Sequence, residues 1–196
     1  MHIGLNAQLL STAAGYRSAG VSTYSLQLLR ALGALAVEGG TSHRFTAWVN
    51  DPDFHVAGID LVCGNPALAR PAARIIWEQS VLPRALRSHR VDLVHGLVNV
   101  LPLTTTLPGV VTVHDLSFAR LPETLPRAKR LYLQRLCAAS AARAARIIAV
   151  SRQTADDLMA EFGASAARID VIPNGVDPAF APGNAEDIAA FRQEQG

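Results

Sequence analysis

Short, mostly apolar runs alternate with longer amphipathic stretches along this chain, and that alternation constrains the fold more than any other feature. The runs Val91-Asp92-Leu93-Val94-His95, Val110-Val111-Thr112-Val113-His114 and Ile147-Ile148-Ala149-Val150 carry no polar stripe. Strands buried on both faces look like this, whereas half-solvated strands alternate polar with apolar. Strands are expected near 2–6, 44–49, 59–63, 91–95, 109–114, 146–150 and 169–172. Helices are expected near 20–38, 74–88, 126–144, 151–162 and 185–194. In the first helix Val21, Tyr24, Leu28, Leu32 and Leu35 form one apolar stripe, and Gly39-Gly40 ends it. In the 151–162 helix Ser151 is a natural N-cap, Ala155, Leu158, Met159 and Phe162 share a face, and Gly163 is the stop. Strands alternating with helices imply right-handed βαβ units, so the fold class is α/β: a parallel sheet with helices on both faces. Ligands of such sheets bind beyond the carboxyl ends of the strands, which directs attention to the residues that follow each strand.

A length of 196 residues suits one large domain or two small ones, and no linker divides the chain. Half of the residues are hydrophobic, enough for a sizeable core. The net charge of +2, with little lysine and no basic stripe, argues against a dedicated nucleic-acid binder. Cys63 and Cys137 belong to no metal or CxxC pattern and are expected as buried free thiols of a reducing cytosol. No leader pattern precedes the Met1-His2-Ile3-Gly4-Leu5 strand, and no apolar run reaches the roughly 18 residues of a membrane span. A cytoplasmic protein is the expectation.

After the first strand comes a long loop, Ala7 to Ala19, and then Gly20-Val21-Ser22-Thr23-Tyr24 opens a helix. Glycine there lets a ligand approach free N–H groups at the positive end of the helix dipole, which suits a phosphate. The alternative is that Gly20 or Ser22 only caps the helix. No Gly-x-x-x-x-Gly-Lys-Ser/Thr occurs, and no Gly-x-Gly-x-x-Gly follows the first strand tightly. A loop of about a dozen residues weakens a dinucleotide reading, although Asp51 imitates a ribose-binding acid.

His114-Asp115 follows a buried strand and His95-Gly96 ends the preceding one, so two histidines can line one crevice. A histidine at such a strand end can hydrogen-bond a substrate hydroxyl or a developing charge. The alternative is a His-Asp pair that satisfies loop backbone groups. No third ligand has metal spacing, so no metal site and no cofactor are expected. Glu78, in Trp77-Glu78-Gln79, either points at a polar substrate or sits on a solvated face beside a core tryptophan. Arg127, Lys129, Arg130 and Arg135, interleaved with Leu131, Tyr132, Leu133 and Leu136, suit either an anionic membrane surface or ordinary solvent. Near the end of the chain Val171-Ile172-Pro173-Asn174-Gly175-Val176-Asp177-Pro178 is a strand that runs into an expected turn, because Asn174 and Gly175 both tolerate positive φ.

Five ordered segments together carry a resemblance to glycosyltransferase family 4, the retaining "group 1" glycosyltransferases. Gly20-Val21-Ser22-Thr23-Tyr24 resembles the family's Gly-Ile-Gly-Arg-Tyr, and Trp77-Glu78-Gln79-x-x-Leu82-Pro83 resembles a segment of its bacterial mannosyltransferase-like branch. Thr112-Val113-His114-Asp115-Leu116, the Val150-Ser151 helix start through Leu158, and Val171 to Pro182 match three further segments. The resemblance implies the amino-terminal, acceptor-side Rossmann-like half of a GT-B enzyme, over residues 1–182, with 183–196 starting an interdomain linker and a carboxy-terminal donor-binding domain to follow. It implies a nucleotide-diphospho-sugar donor, GDP-mannose or a UDP-hexose, used without metal, and a glycan or lipid-linked acceptor at or near the inner membrane face. Gly20, Val21 and Ser22 would face the donor diphosphate, and His114 would hydrogen-bond the transferred sugar. Ser151, Asn174 and Gly175 would border the interdomain cleft on the donor side, with Glu78, His95 and Asp115 on the acceptor side. Ser22 departs from the pattern, standing where the family has its second glycine. Retention by front-face attack would leave positioning and charge stabilisation to the protein. The competing readings are a GT-B-like sugar-nucleotide epimerase and a non-catalytic Rossmann-like ligand-binding module.

Overall fold

The computed structural model describes residues 1–11, 20–120, 127–177, 180–181 and 183–195, with the side chains of 66, 69, 119, 120 and 127–129 excepted. Most of the Ala7 to Ala19 loop, the Pro122–Pro126 region, Pro178 and Pro182 lie outside the described residues, as do the side chains of Arg127 and Lys129. Seven strands form one all-parallel sheet: β1 (His2–Ala7), β2 (Arg44–Val49), β3 (Asp60–Cys63), β4 (Leu93–Gly96), β5 (Gly109–Val113), β6 (Arg146–Ala149) and β7 (Ile169–Val171). The helices are α1 (Gly20–Val37), α2 (Pro71–Ser80), α3 (Leu82–Ser88), α4 (Ser117–Arg120), α5 (Arg127–Arg143), α6 (Arg152–Phe162) and α7 (Ala185–Gln195). Each expected strand is present within two residues of its expected ends.

The strand order is β3-β2-β1-β4-β5-β6-β7. The chain winds outward from β1 to β3, then returns to the other side of β1 and winds the opposite way. The direction of winding reverses between β1 and β4, and a crevice opens outside the carboxyl ends of strands at such a reversal. Two apolar cores lie on opposite faces. Leu5, Ala7, Phe45, Ala47 and Val49 meet Leu29 of α1 on one face. Val94, Val111, Val113, Ile147 and Ala149 meet Leu82 and Leu86 of α3, Cys137 and Ala141 of α5 and Leu158 of α6 on the other.

Four local expectations are corrected. The buried line of α1 is Ser22, Ser25, Leu29 and Gly33, not the larger Leu28-Leu32-Leu35 stripe, and Leu35 is exposed. Small residues win because the helix presses onto backbone: a Cβ on Gly33 would lie 2.2 Å from the Ala57 carbonyl oxygen. The single helix expected at 74–88 is two helices that meet at Val81, with Pro83 in the first turn of α3. Proline is comfortable in a first helical turn, where no intrahelical partner is needed for its missing N–H. Cys63 is exposed, while Cys137 is buried and its thiol is pushed up to about 12 by burial.

The fourth correction concerns the expected turn at Asn174-Gly175. Neither residue takes positive φ, and residues 172–177 run without regular structure; the first bend recorded beyond them is the Phe180 N–H bond to the Asp177 carbonyl at 2.9 Å. The Ile172 N–H is still held by the Ala149 carbonyl at 2.9 Å, so the chain leaves β7 in the strand direction.

Candidate active site

Of the residues singled out in the sequence, His95, His114, Asp115 and Ser151 form one group at the carboxyl edge of the sheet and Glu78 belongs to a second. The first surrounds His114, just past β5. Asn99 adopts a left-handed conformation, φ 56°, that an asparagine tolerates better than most residues. Its Oδ1 accepts from the His114 backbone N–H at 3.0 Å, while its own N–H donates to the Thr112 carbonyl at 2.8 Å. The imidazole is fixed as well: Nε2 lies 2.9 Å from the Leu97 carbonyl oxygen. A carbonyl only accepts, so Nε2 carries the proton and the Nδ1 of the neutral ring is an acceptor. Burial lowers the His114 pKa, against the opposing effects of the Leu97 bond and of Asp115, and so favours that neutral ring.

Tyr24 of α1 stands edge-on to the His114 ring, with centroids 4.7 Å apart. Its hydroxyl is 3.0 Å from the Thr112 hydroxyl, which is 2.9 Å from His95 Nε2. The Thr112 side chain is fully buried and bridges the two. His95 therefore spends Nε2 on this brace behind His114, and burial pushes it down to about 4. Burial also raises the Tyr24 pKa, so its hydroxyl stays protonated.

On the other side of His114 a cavity of about 560 Å³ is lined by His114, Asp115, Ser151, Gln153, Thr154 and Asp157 among others. Ser151 caps α6, its Oγ accepting from the Thr154 N–H at 3.0 Å, and Gly163 closes the helix with φ 63°. Thr154 Oγ1 donates to the His114 carbonyl at 3.2 Å, tying the helix start to the end of β5. The positive end of α6 thus opens on the same cavity as His114, an arrangement that favours an anionic or electron-rich group. Asp115 is committed to its own loop: Oδ1 accepts from the Ser117 N–H at 2.9 Å and from the Ser117 hydroxyl at 2.5 Å.

Gly20 and Val21 open α1, and among the described residues a Cβ on Gly20 would meet nothing within 4 Å. Ser22 lies inside the first turn, not at a cap. Its buried Oγ accepts from the Ser11 N–H at 2.9 Å and donates to the Ser11 carbonyl at 3.1 Å. The serine that replaces the expected glycine therefore pins the two ends of the β1–α1 loop together. Asn174 and Gly175 are exposed beyond β7 and are not among the cavity residues.

The second group lies at the end of β1. Glu78 is 6% exposed, against the solvated alternative, and burial raises its pKa while Arg74 and Asn6 oppose that rise. Trp77 is only half-buried against the core, and Gln79 clamps the loop after β4 through bonds to the Leu101 carbonyl and the Leu103 N–H. Asn99, Tyr24, Thr112, Asn6 and Arg74 were not singled out as candidate site residues. Only Asn99 carries a local signal, its tolerance of the left-handed region; Asn6 and Thr112 owe their place to strand pairing, and Tyr24 and Arg74 to the packing of α1 and α2.

The family description Glycosyltransferase Family 4 matches residues 18–180. No curated protein matches in sequence at a significant level. Sucrose-phosphate synthase from Thermosynechococcus elongatus superposes with TM-score 0.67 at 16% identity, over 97% of this chain and 52% of the other. WaaG, a glycosyltransferase involved in lipopolysaccharide biosynthesis, gives 0.61 at 16% identity, over 99% of this chain and 51% of the other. Anabaena Alr3699/HepE in complex with UDP-glucose gives 0.58 at 19% identity, over 100% of this chain and 50% of the other. At such identities the likeness is one of fold, and the chain spans about half the length of these structures. With the family match covering most of its residues, the chain belongs to Glycosyltransferase Family 4, and its sheet is the Rossmann-like α/β architecture expected of that family.

Proposed function

We propose that this chain is the acceptor-side half of a retaining glycosyltransferase. The enzyme transfers a hexose, mannose or glucose, from a nucleotide-diphospho-sugar to a glycan or lipid-linked acceptor. The observation that carries the reading is the cavity in which His114 and the amino-terminal end of α6 converge beyond β5 and β6. The family match and the UDP-glucose held by a structural neighbour support a nucleotide-sugar donor.

In this reading the neutral His114 ring accepts a hydrogen bond at Nδ1 from a hydroxyl of the transferred sugar, because Nε2 is spent on Leu97. That bond holds the reacting carbon in place as the leaving diphosphate departs, and orientation of this kind lowers the barrier without covalent chemistry by the protein. Gly20 and Val21, at the start of α1, would offer their backbone N–H groups to the diphosphate. No metal is assigned a role, and the protein acts in the cytoplasm. Replacing His114 with alanine in the full-length enzyme should lower the rate of sugar transfer by roughly 10²-fold or more, with the circular dichroism spectrum unchanged. Transfer at the wild-type rate would remove His114 from the site.

A further inference from the structure

The loop that follows β4 is held from three sides. Gly96 ends the strand, and a Cβ there would lie 2.1 Å from the Val100 carbonyl oxygen, so the chain folds back closely on glycine. The Leu101 N–H donates to Ser140 Oγ of α5 at 3.0 Å. Gln79 of α2 accepts from the Leu103 N–H at 2.9 Å and donates to the Leu101 carbonyl at 3.0 Å. Leu97 and Leu101 are fully buried, which anchors the loop at both ends of its tightest part.

Asn99 fastens this loop to the end of β5. The β4–β5 register ends where Gly96 pairs with Val111. Beyond it the Asn99 N–H donates to the Thr112 carbonyl, and Asn99 Oδ1 accepts from the His114 N–H. A side-chain oxygen thus stands where a further strand residue would offer its carbonyl. Both bonds are made from a left-handed backbone, φ 56°. The conformation alone does not account for asparagine, because glycine adopts it at less cost. What asparagine adds is Oδ1, and Oδ1 is spent on the residue whose ring lines the cavity. Two residues earlier in the same loop, the Leu97 carbonyl lies 2.9 Å from His114 Nε2. That carbonyl fixes the tautomer of the ring only while the loop itself stays against β5.

We propose that Asn99 is a positioning residue for sugar transfer: by bonding the His114 N–H it locks residues 97–99 against β5, keeps the Leu97 carbonyl on Nε2, and so leaves Nδ1 as the acceptor that meets the sugar. The proposal rests on the glycosyltransferase reading above. Asn99→Gly permits the same backbone and removes Oδ1, whereas Asn99→Asp keeps an acceptor oxygen. Nitrogen NMR on histidine-labelled, full-length protein should show His114 as the Nε2–H tautomer in wild type and in Asn99→Asp, and as a mixture of tautomers in Asn99→Gly. In sugar transfer Asn99→Gly should lower kcat about tenfold with the donor KM changed less than about twofold, and Asn99→Asp should keep kcat within about threefold of wild type. The new carboxylate of Asn99→Asp should also move the acid limb of the pH profile to higher pH, since a nearby negative charge favours the imidazolium. The other titratable groups about His114 are Asp115, Asp157 of α6, Tyr24 of α1 and His95 behind Thr112, and both variants leave them in place. A kcat within about twofold of wild type in Asn99→Gly, a single tautomer there, or an equal loss in Asn99→Asp overturns the positioning role. Absence of transfer in wild type, with mixed tautomers in Asn99→Gly, overturns the glycosyltransferase reading instead and leaves the lock on His114 standing.

Discussion

A histidine packed against Thr112 loses the hydration that its charged form needs, and His95 is accordingly pushed down to about 4 from 6.5. The unfolded chain takes up a proton near pH 6.5, whereas the folded protein waits until about pH 4. Stability is therefore complete above about 6.5 and is lost as pH falls through the interval to 4, by up to roughly 3 kcal/mol. Urea midpoints measured at pH 7 and at pH 4.5 should differ in that sense, and His95→Gln should narrow the difference. At this scale the sequence was informative about position and less so about role. The histidines stood out because they end buried strands, yet His95 braces Tyr24 from behind while His114 faces the cavity. Which ring nitrogen is free depends on the Leu97 carbonyl, and the backbone is fixed by Asn99, residues that meet His114 only once β4 and β5 pair.

Among the elements, α1 depends on glycine for contact and not for conformation. Gly33 is buried where the helix touches backbone, and Gly58, at φ 78°, would place a Cβ 2.3 Å from the Gly33 carbonyl. Gly33→Ala should destabilise the protein by about 1–3 kcal/mol, the usual cost of overpacking, read as a lower urea midpoint. Gly20→Ala, whose Cβ meets nothing within 4 Å among the described residues, should leave that midpoint unchanged or slightly raised, since alanine favours helix. The ends of α6 were legible in the sequence, because Ser151 and Gly163 are local start and stop signals that act without tertiary help, although Met159 of its expected apolar face is exposed. The buried face of α1 was not, because a stripe of leucines is a signal of hydrophobicity, and close approach to the 57–58 backbone decided the matter instead. The same limit hid the break at Val81 and the absence of positive φ at Asn174-Gly175. A residue's tolerance of positive φ permits a turn; it does not impose one.

For the whole molecule, the alternation of apolar runs and amphipathic stretches was enough to specify a parallel sheet, but strand order lay beyond it, since every crossover length here permits either neighbour. We propose that the donor is shared with a second domain, the chain spanning about half the length of its structural neighbours. Isothermal calorimetry should then find UDP-glucose bound at least 100-fold more weakly by residues 1–196 alone than by the full-length protein; equal affinity would sink the split donor site. The strand order has a further consequence for a chain made from its amino terminus. β1 precedes the other six described strands along the chain yet sits inside the finished sheet, with Ile3 paired to Phe45 on one side and to Leu93 on the other. Until Leu93 emerges from the ribosome, one edge of β1 offers its unpaired backbone N–H and C=O groups to any passing strand. Translation thus holds open, for the interval between β2 and β4, a gap at the very place where the finished protein gathers its polar groups.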